Sequence, residues 1–231
     1  MSQRGKFIVI DGTDGSGKAT QVRLLAERLK KEKKKIKVID FPEYYSNFFG
    51  KFIGHCLSEQ YYNFVKVHPK IASVLYAADR FESKNKIETW LKEGNIVIAD
   101  RYASANQIHQ GGKIANTKKR ENFLKWLAEM EYEVFKIPKP DVVFYLDVPI
   151  SIALKLIQER NKNGSRAYLG KKKDVVEKDK KYMENSRKSA LWLAKTQKNW
   201  MKINCVKNGA LQARENIHQE IYEKIKKIIM K

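Results

Sequence analysis

The sequence is poor in cysteine, in acidic residues and in long apolar runs. Its 231 residues include two cysteines, Cys56 and Cys205. They lie far apart and show no metal-ligand spacing, which excludes a disulfide framework and a cysteine-rich zinc module. Reduced structural thiols in a cytosolic protein fit this usage. No apolar run is long enough for a bilayer span, and the N-terminus shows no signal-peptide apolar segment, so a cytoplasmic protein without a membrane partner is expected. Zinc-finger spacing, an RNA-binding aromatic signature and a long basic tail are also missing. With neither repeats nor linkers, one α/β domain over residues 1–231 is the simplest count. A chain of this length can bury a full core.

Acids are outnumbered. Lys and Arg total 47 against 26 Asp and Glu, a formal net charge of +21. A basic surface attracts nucleic acid and other polyanions. Lysines also coat soluble enzymes whose ligands are phosphates. The densest basic run, residues 30–35, falls where the first helix is expected to end, and cations suit that end of the helix dipole. The solvated-surface reading is therefore favoured, and no nucleic-acid partner is expected.

What is there is organised around residues 12–20, G-T-D-G-S-G-K-A-T. An apolar, β-branched run at 6–11 precedes them and reads as a buried strand; Val22, Leu24, Leu25 and Leu29 follow at helical spacing. This is the context in which G-x-x-x-x-G-K acts as a P-loop. Gly12, Gly15 and Gly17 are expected to supply positive φ and a close backbone approach. Their N–H groups, with those of Thr13, Asp14 and Ser16, would form an anion nest at a helix N-terminus. Lys18 adds a point charge for the outer phosphates. A Ser or Thr usually comes next and meets Mg²⁺, but here Ala19 stands in its place. Thr20 is expected to point elsewhere on the helix, so the metal has one protein ligand fewer or water fills the place. ATP and Mg²⁺ are the expected cofactors of residues 12–20.

Further strands read at 36–41, 96–100, 141–147 and 200–205. An aromatic-rich loop is expected after Phe41-Pro42, then helices over 71–91, 118–135, 151–160, 177–195 and 217–229, with Ser151 as a cap. Strands alternating with helices argue a three-layer fold, a five-stranded parallel sheet covered on both faces. Ligands of such sheets lie beyond the carboxyl ends of the strands. The third strand closes on Asp100-Arg101-Tyr102. An acid there commonly holds Mg²⁺, often through water. A capping Asp is the plainer reading, but adjacent Arg101 suits bidentate phosphate contact and weighs against it. Residues 160–175 are polar and basic with Gly164 and Gly170, a composition that suits a short lid closing over phosphates. The same composition also fits an ordinary solvated loop.

These residues resemble the thymidylate kinase family of the nucleoside monophosphate kinase group. The marks are G-T-D-G-S-G-K at 12–18, F-P at 41–42, Y-A-A-D-R at 76–80, D-R-Y at 100–102, N-Q-I-H-Q-G-G-K at 106–113 and P-K-P-D at 138–141. The resemblance implies a homodimeric, Mg²⁺- and ATP-dependent conversion of dTMP to dTDP, in dTTP synthesis. It implies that Asp14 lies near the 3′-hydroxyl of the acceptor and that Phe41 walls its pocket. Tyr76, where the family usually has Phe, would stack on thymine. Arg80 would donate to a thymine carbonyl, Asn106 would face the polar edge of the base, and Arg101 would hold the acceptor phosphate. Asp100 would serve the metal. Where some members carry an Arg in the P-loop this chain has Gly15, so the catalytic cation is expected from the lid, as Arg166 or Arg160. Tyr44 replaces a phosphate-binding Arg of some members, and Val176 an aromatic residue near the sugar. A kinase of another nucleotide or nucleoside acceptor is the alternative. A basic nucleic-acid-binding P-loop NTPase is a more distant one, suggested by charge alone.

Overall fold

Five short apolar runs become five parallel strands. The computed structural model describes residues 4–58, 61, 64–162 and 179–229. Strands β1 (Phe7–Gly12), β2 (Ile36–Asp40), β3 (Ile96–Asp100), β4 (Val142–Asp147) and β5 (Trp200–Asn204) lie in the order β2-β3-β1-β4-β5. β1 is central and buried along its whole length. Its side chains alternate between two cores, as the two-residue period of a strand requires. Phe7 and Val9 join one cluster with Val97, Ala99 and Tyr145; Ile8 and Ile10 join the other with Ile98, Phe144 and Leu146.

Helices cover both faces. α1 (Lys18–Lys31), α7 (Ile150–Lys162) and α9 (Arg214–Ile229) close one side. The other side carries α3 (Pro69–Glu82), α4 (Lys84–Lys92), α6 (Thr117–Ala128) and α8 (Lys180–Thr196). The lysine run does begin in the last turn of α1, with Lys30 and Lys31 there.

Several elements depart from the expectations. The loop after Phe41 contains a helix, α2 (Phe48–Leu57), which packs Ile53, Cys56 and Leu57 into a third cluster against Ala72 of α3. Its aromatic residues had masked a helical period. The single helix expected over 71–91 is two, broken at Ser83, whose hydroxyl bonds Glu43 and accepts from Asn47 Nδ2 at 3.2 Å. α7 starts one residue before Ser151, so that serine lies inside the first turn rather than capping it. A two-residue-per-strand hairpin, β6 (Val206–Lys207) with β7 (Ala210–Leu211), follows β5.

Two helices end in wide π turns. A short α5 (Ala103–Ala105) runs into the π segment Asn106–Gln110, and α6 runs into the π segment Glu129–Val134. Such turns shift the direction of side chains relative to a regular helix and recur at functional sites. Residues 163–178, with Arg166 and Val176 and most of the expected lid, lie outside the described residues. Among the described residues no helix is long and apolar enough to cross a membrane.

Candidate active site

The P-loop forms as its glycine spacing dictates. Gly15 has φ of 77° and Gly17 84°, a region that β-carbon sterics deny most residues. Gly12 does not share it. It ends β1, and its requirement is space: a Cβ there would lie 2.4 Å from Ser16 Oγ. Gly17 caps α1 without any side-chain hydrogen bond, and the first turn holds no acid. The N–H groups of that turn are thus left for an anion. Lys18 is buried, and its Nζ donates to the carbonyls of Gly12 and Thr13, both at 3.1 Å. Burial and then the Arg101 charge pull its pKa down to about 8. The hydroxyls of Thr13 and Ser16 are buried without a partner among the described residues. An uncapped helix start, two orphan hydroxyls and an ammonium make a fit receptacle for phosphate oxygens.

A groove runs along this loop. It is bordered by Gly15, Gly17, Lys18, Ala19 and Thr20, and on the facing side by Asp40, Asp100 and Arg160. Thr20, expected to point away, borders it too. Asp40 and Asp100 are register partners at the ends of β2 and β3. Burial, and then Asp100 and Glu43, push the Asp40 carboxyl up from its ordinary value. Asp40 escaped the sequence reading, although it closes an apolar strand just as Asp100 does. Two neighbouring carboxylates are hard oxygen donors, suited to Mg²⁺. Among the described residues no group of three or more His, Cys, Asp or Glu is placed to hold a metal ion.

Beside the groove lies a smaller pocket. Asp14, Phe41, Tyr76, Arg80, Arg101 and Asn106, all expected around one acceptor, line it together. Asp14 thus faces the pocket and not the groove. Tyr76 is half-buried and packs on Phe64, with ring centroids 5.5 Å apart. Phe41, Tyr44 and Arg101 border both spaces.

Arg101 stands at the junction. Its backbone adopts φ of 65°, a strained conformation for an arginine, and its N–H is held by the Ile10 carbonyl at 3.0 Å. Its guanidinium pairs with Asp14, lies 4.0 Å from Asp11, and donates to His109 Nε2 at 3.0 Å. Burial works against its charge, but Asp14, Asp11 and Asp100 outweigh that and push its pKa up. Because a guanidinium only donates, His109 Nε2 must accept, and the ring proton sits on Nδ1, 3.2 Å from Ser186 Oγ. Burial and the Arg101 charge pull the His109 pKa to about 3, so the ring is neutral. His109 was visible only as part of a motif.

Deeper in the pocket, Arg80 and Asn106 converge on Glu131. Arg80 donates from Nε and NH2 at 2.8 and 2.7 Å, and Asn106 Nδ2 at 2.9 Å. Burial opposes the Arg80 charge, but Glu131 overcomes it and the pKa lies above its ordinary value. Glu131 was missed. Its signal was a carboxylate on the buried stripe of Leu124 and Leu127, where an apolar residue belongs.

The comparisons with known proteins agree with this geometry. The sequence model of the family described as Thymidylate kinase matches residues 10–221. The chain belongs to the thymidylate kinase family. A thymidylate kinase of Plasmodium falciparum is 30% identical over 98% of this chain and 92% of its own. A probable thymidylate kinase of Pyrococcus horikoshii is 32% identical over 96% of this chain and 97% of its own. The solved thymidylate kinase of Candida albicans shares the fold, with a TM-score of 0.72 at 22% identity, over 98% of this chain and 93% of that one. In this thymidylate kinase family member the P-loop groove and the pocket beside it share Arg101 as a wall.

Proposed function

We propose that this protein transfers the terminal phosphoryl group of ATP to dTMP, giving dTDP. The observation that carries the proposal is the shared wall: Arg101, Phe41 and Tyr44 border the P-loop groove and the pocket at once. Two phosphate-bearing ligands placed there meet at one guanidinium. Lys18 and the N–H groups that open α1 would hold the outer phosphates of ATP, and Thr13 and Ser16 have hydroxyls to donate. Asp100, with Asp40 beside it, would hold Mg²⁺. The chemistry the ion would supply there, when bound, is neutralisation of charge on the transferring group. Arg101 orients the acceptor phosphate and cancels its repulsion from the donor. Arg160 reaches the groove from α7 and supplies a further cation; Arg166 is its counterpart outside the described residues. Tyr76 stacks on the base, and Asp14 meets the sugar hydroxyl near Arg101. One kinase domain, acting as a homodimer in the cytoplasm, is part of the same reading.

The test is ADP release with Mg²⁺-ATP and, side by side, dTMP, dUMP, UMP, dCMP, dGMP and AMP. Strong turnover with dTMP and little with the purines or dCMP is expected. Turnover with none of them, or with the purines in preference, would overturn the proposal.

A further inference from the structure

Glu131 is 1% exposed and does not line the pocket, yet its carboxylate holds two residues that do, Arg80 and Asn106. Its Oε2 accepts from Arg80 Nε, and its Oε1 accepts from both Arg80 NH2 and Asn106 Nδ2. Asn106 Nδ2 donates also to the Ser73 carbonyl at 3.1 Å. We infer that Glu131 is the positioning residue that sets which pyrimidine the pocket takes. This rests on the dTMP kinase reading and adds the source of its selectivity.

The argument is one of donors and acceptors. Glu131 and the Ser73 carbonyl only accept. A flipped Asn106 amide would set its oxygen against two oxygens, so the amide is fixed with its nitrogen inward. Its remaining polar group is the oxygen, an acceptor. Arg80 spends Nε and one N–H of Nη2 on Glu131 while lining the pocket, so the N–H groups it has left to turn to a base are donors. The pocket therefore offers one acceptor and one donor together. Thymine presents the complement, an N3–H donor beside an O4 acceptor. Cytosine presents the reverse, an N3 acceptor beside an amino group. Its amino group would face a guanidinium, and its N3 lone pair an amide oxygen. Uracil shares the thymine edge, so the network separates dTMP from dCMP and not from dUMP.

Glu131→Gln keeps the shape but sets an N–H against Arg80 or Asn106 whichever way the new amide turns. The ratio of kcat/KM for dTMP to that for dCMP is expected to fall at least about tenfold, because a polar site built for one pattern rejects the other strongly only while that pattern is fixed. The KM for ATP should change by less than about twofold. A merely structural Glu131 would lower both acceptors by one factor. An unchanged ratio, with rates lowered or not, would overturn the inference. Should circular dichroism show Glu131→Gln unfolded, Glu131→Asp, which keeps the counter-charge one methylene shorter, is read by the same ratio. The unaltered enzyme, assayed in parallel, separates the two failures: no turnover of dTMP by it sinks the kinase reading, whereas a selective enzyme beside an equally selective variant sinks this inference alone.

Discussion

The P-loop groove and the pocket beside it are built by opposite means. The groove's cradle is one contiguous stretch, residues 12–20, and on the proposed reading it binds through backbone N–H groups at a helix start with no side-chain cap among the described residues. The pocket is assembled from side chains far apart in the chain: Arg101 to Asp14 spans 87 residues, Arg80 to Glu131 spans 51, and Asn106 to Glu131 spans 25. A phosphate is a diffuse charge that any well-aimed nest of N–H groups can hold. A base is a pattern of donors and acceptors, and reading it needs side chains that cannot turn. Buried partners supply that rigidity, so the pocket has a second layer that the groove does without.

The difference can be pressed by substitution. Lys18→Met, which removes the one side-chain cation of the cradle, should lower kcat about a hundred- to a thousand-fold in a steady-state ADP assay, with dTMP binding little changed. Gly15 and Gly17 separate conformation from space. A Cβ at Gly15 would meet the Ala153 carbonyl at 2.4 Å, while at Gly17 it meets none of the described residues within 4 Å. Thermal unfolding should show Gly15→Ala destabilised by about 3 kcal/mol or more, from clash plus left-handed backbone, and Gly17→Ala by about 1 kcal/mol, from backbone alone. A milder lever is pH. Lys18 binds anions when charged, and its pKa is about 8 in the free loop. So kcat/KM for ATP should fall about tenfold between pH 7 and 9, since that parameter reports the free enzyme. His109→Phe keeps the stacking on Tyr182 but removes the acceptor for Arg101. The KM for dTMP should rise about fivefold with the KM for ATP unmoved, the modest cost of one charge-assisted hydrogen bond beside a surviving Asp14 pair.

The same contrast governs what could be read from the sequence. The five strands and the P-loop were legible because their signals are local: alternating or continuous apolar runs, and glycines at fixed spacing before a lysine. The membership of Phe41, Tyr76, Arg80, Arg101 and Asn106 in one pocket came from family resemblance, since no local pattern joins residues that distant. Glu131 left one mark in the sequence, a carboxylate on the buried stripe of Leu124 and Leu127, but its partners and the second role of Asn106 left none. They depend on the π segments Asn106–Gln110 and Glu129–Val134, and a 3.6-residue reading cannot foresee where a π turn aims its side chains. α2 was hidden for a different reason, its helical period being blurred by a dense run of aromatics. Asp40 was within reach, because the rule applied to Asp100 at the end of β3 applies equally at the end of β2.

Two separately built spaces meet at Arg101. The most direct test is calorimetric titration of Arg101→Ala with dTMP and, separately, with a non-hydrolysable ATP analogue. Loss of a half-buried guanidinium paired with Asp14 should weaken dTMP at least about thirtyfold, while the analogue, held by the backbone cradle and Lys18, should change by no more than about threefold. Equal weakening of both ligands, or of neither, would contradict it.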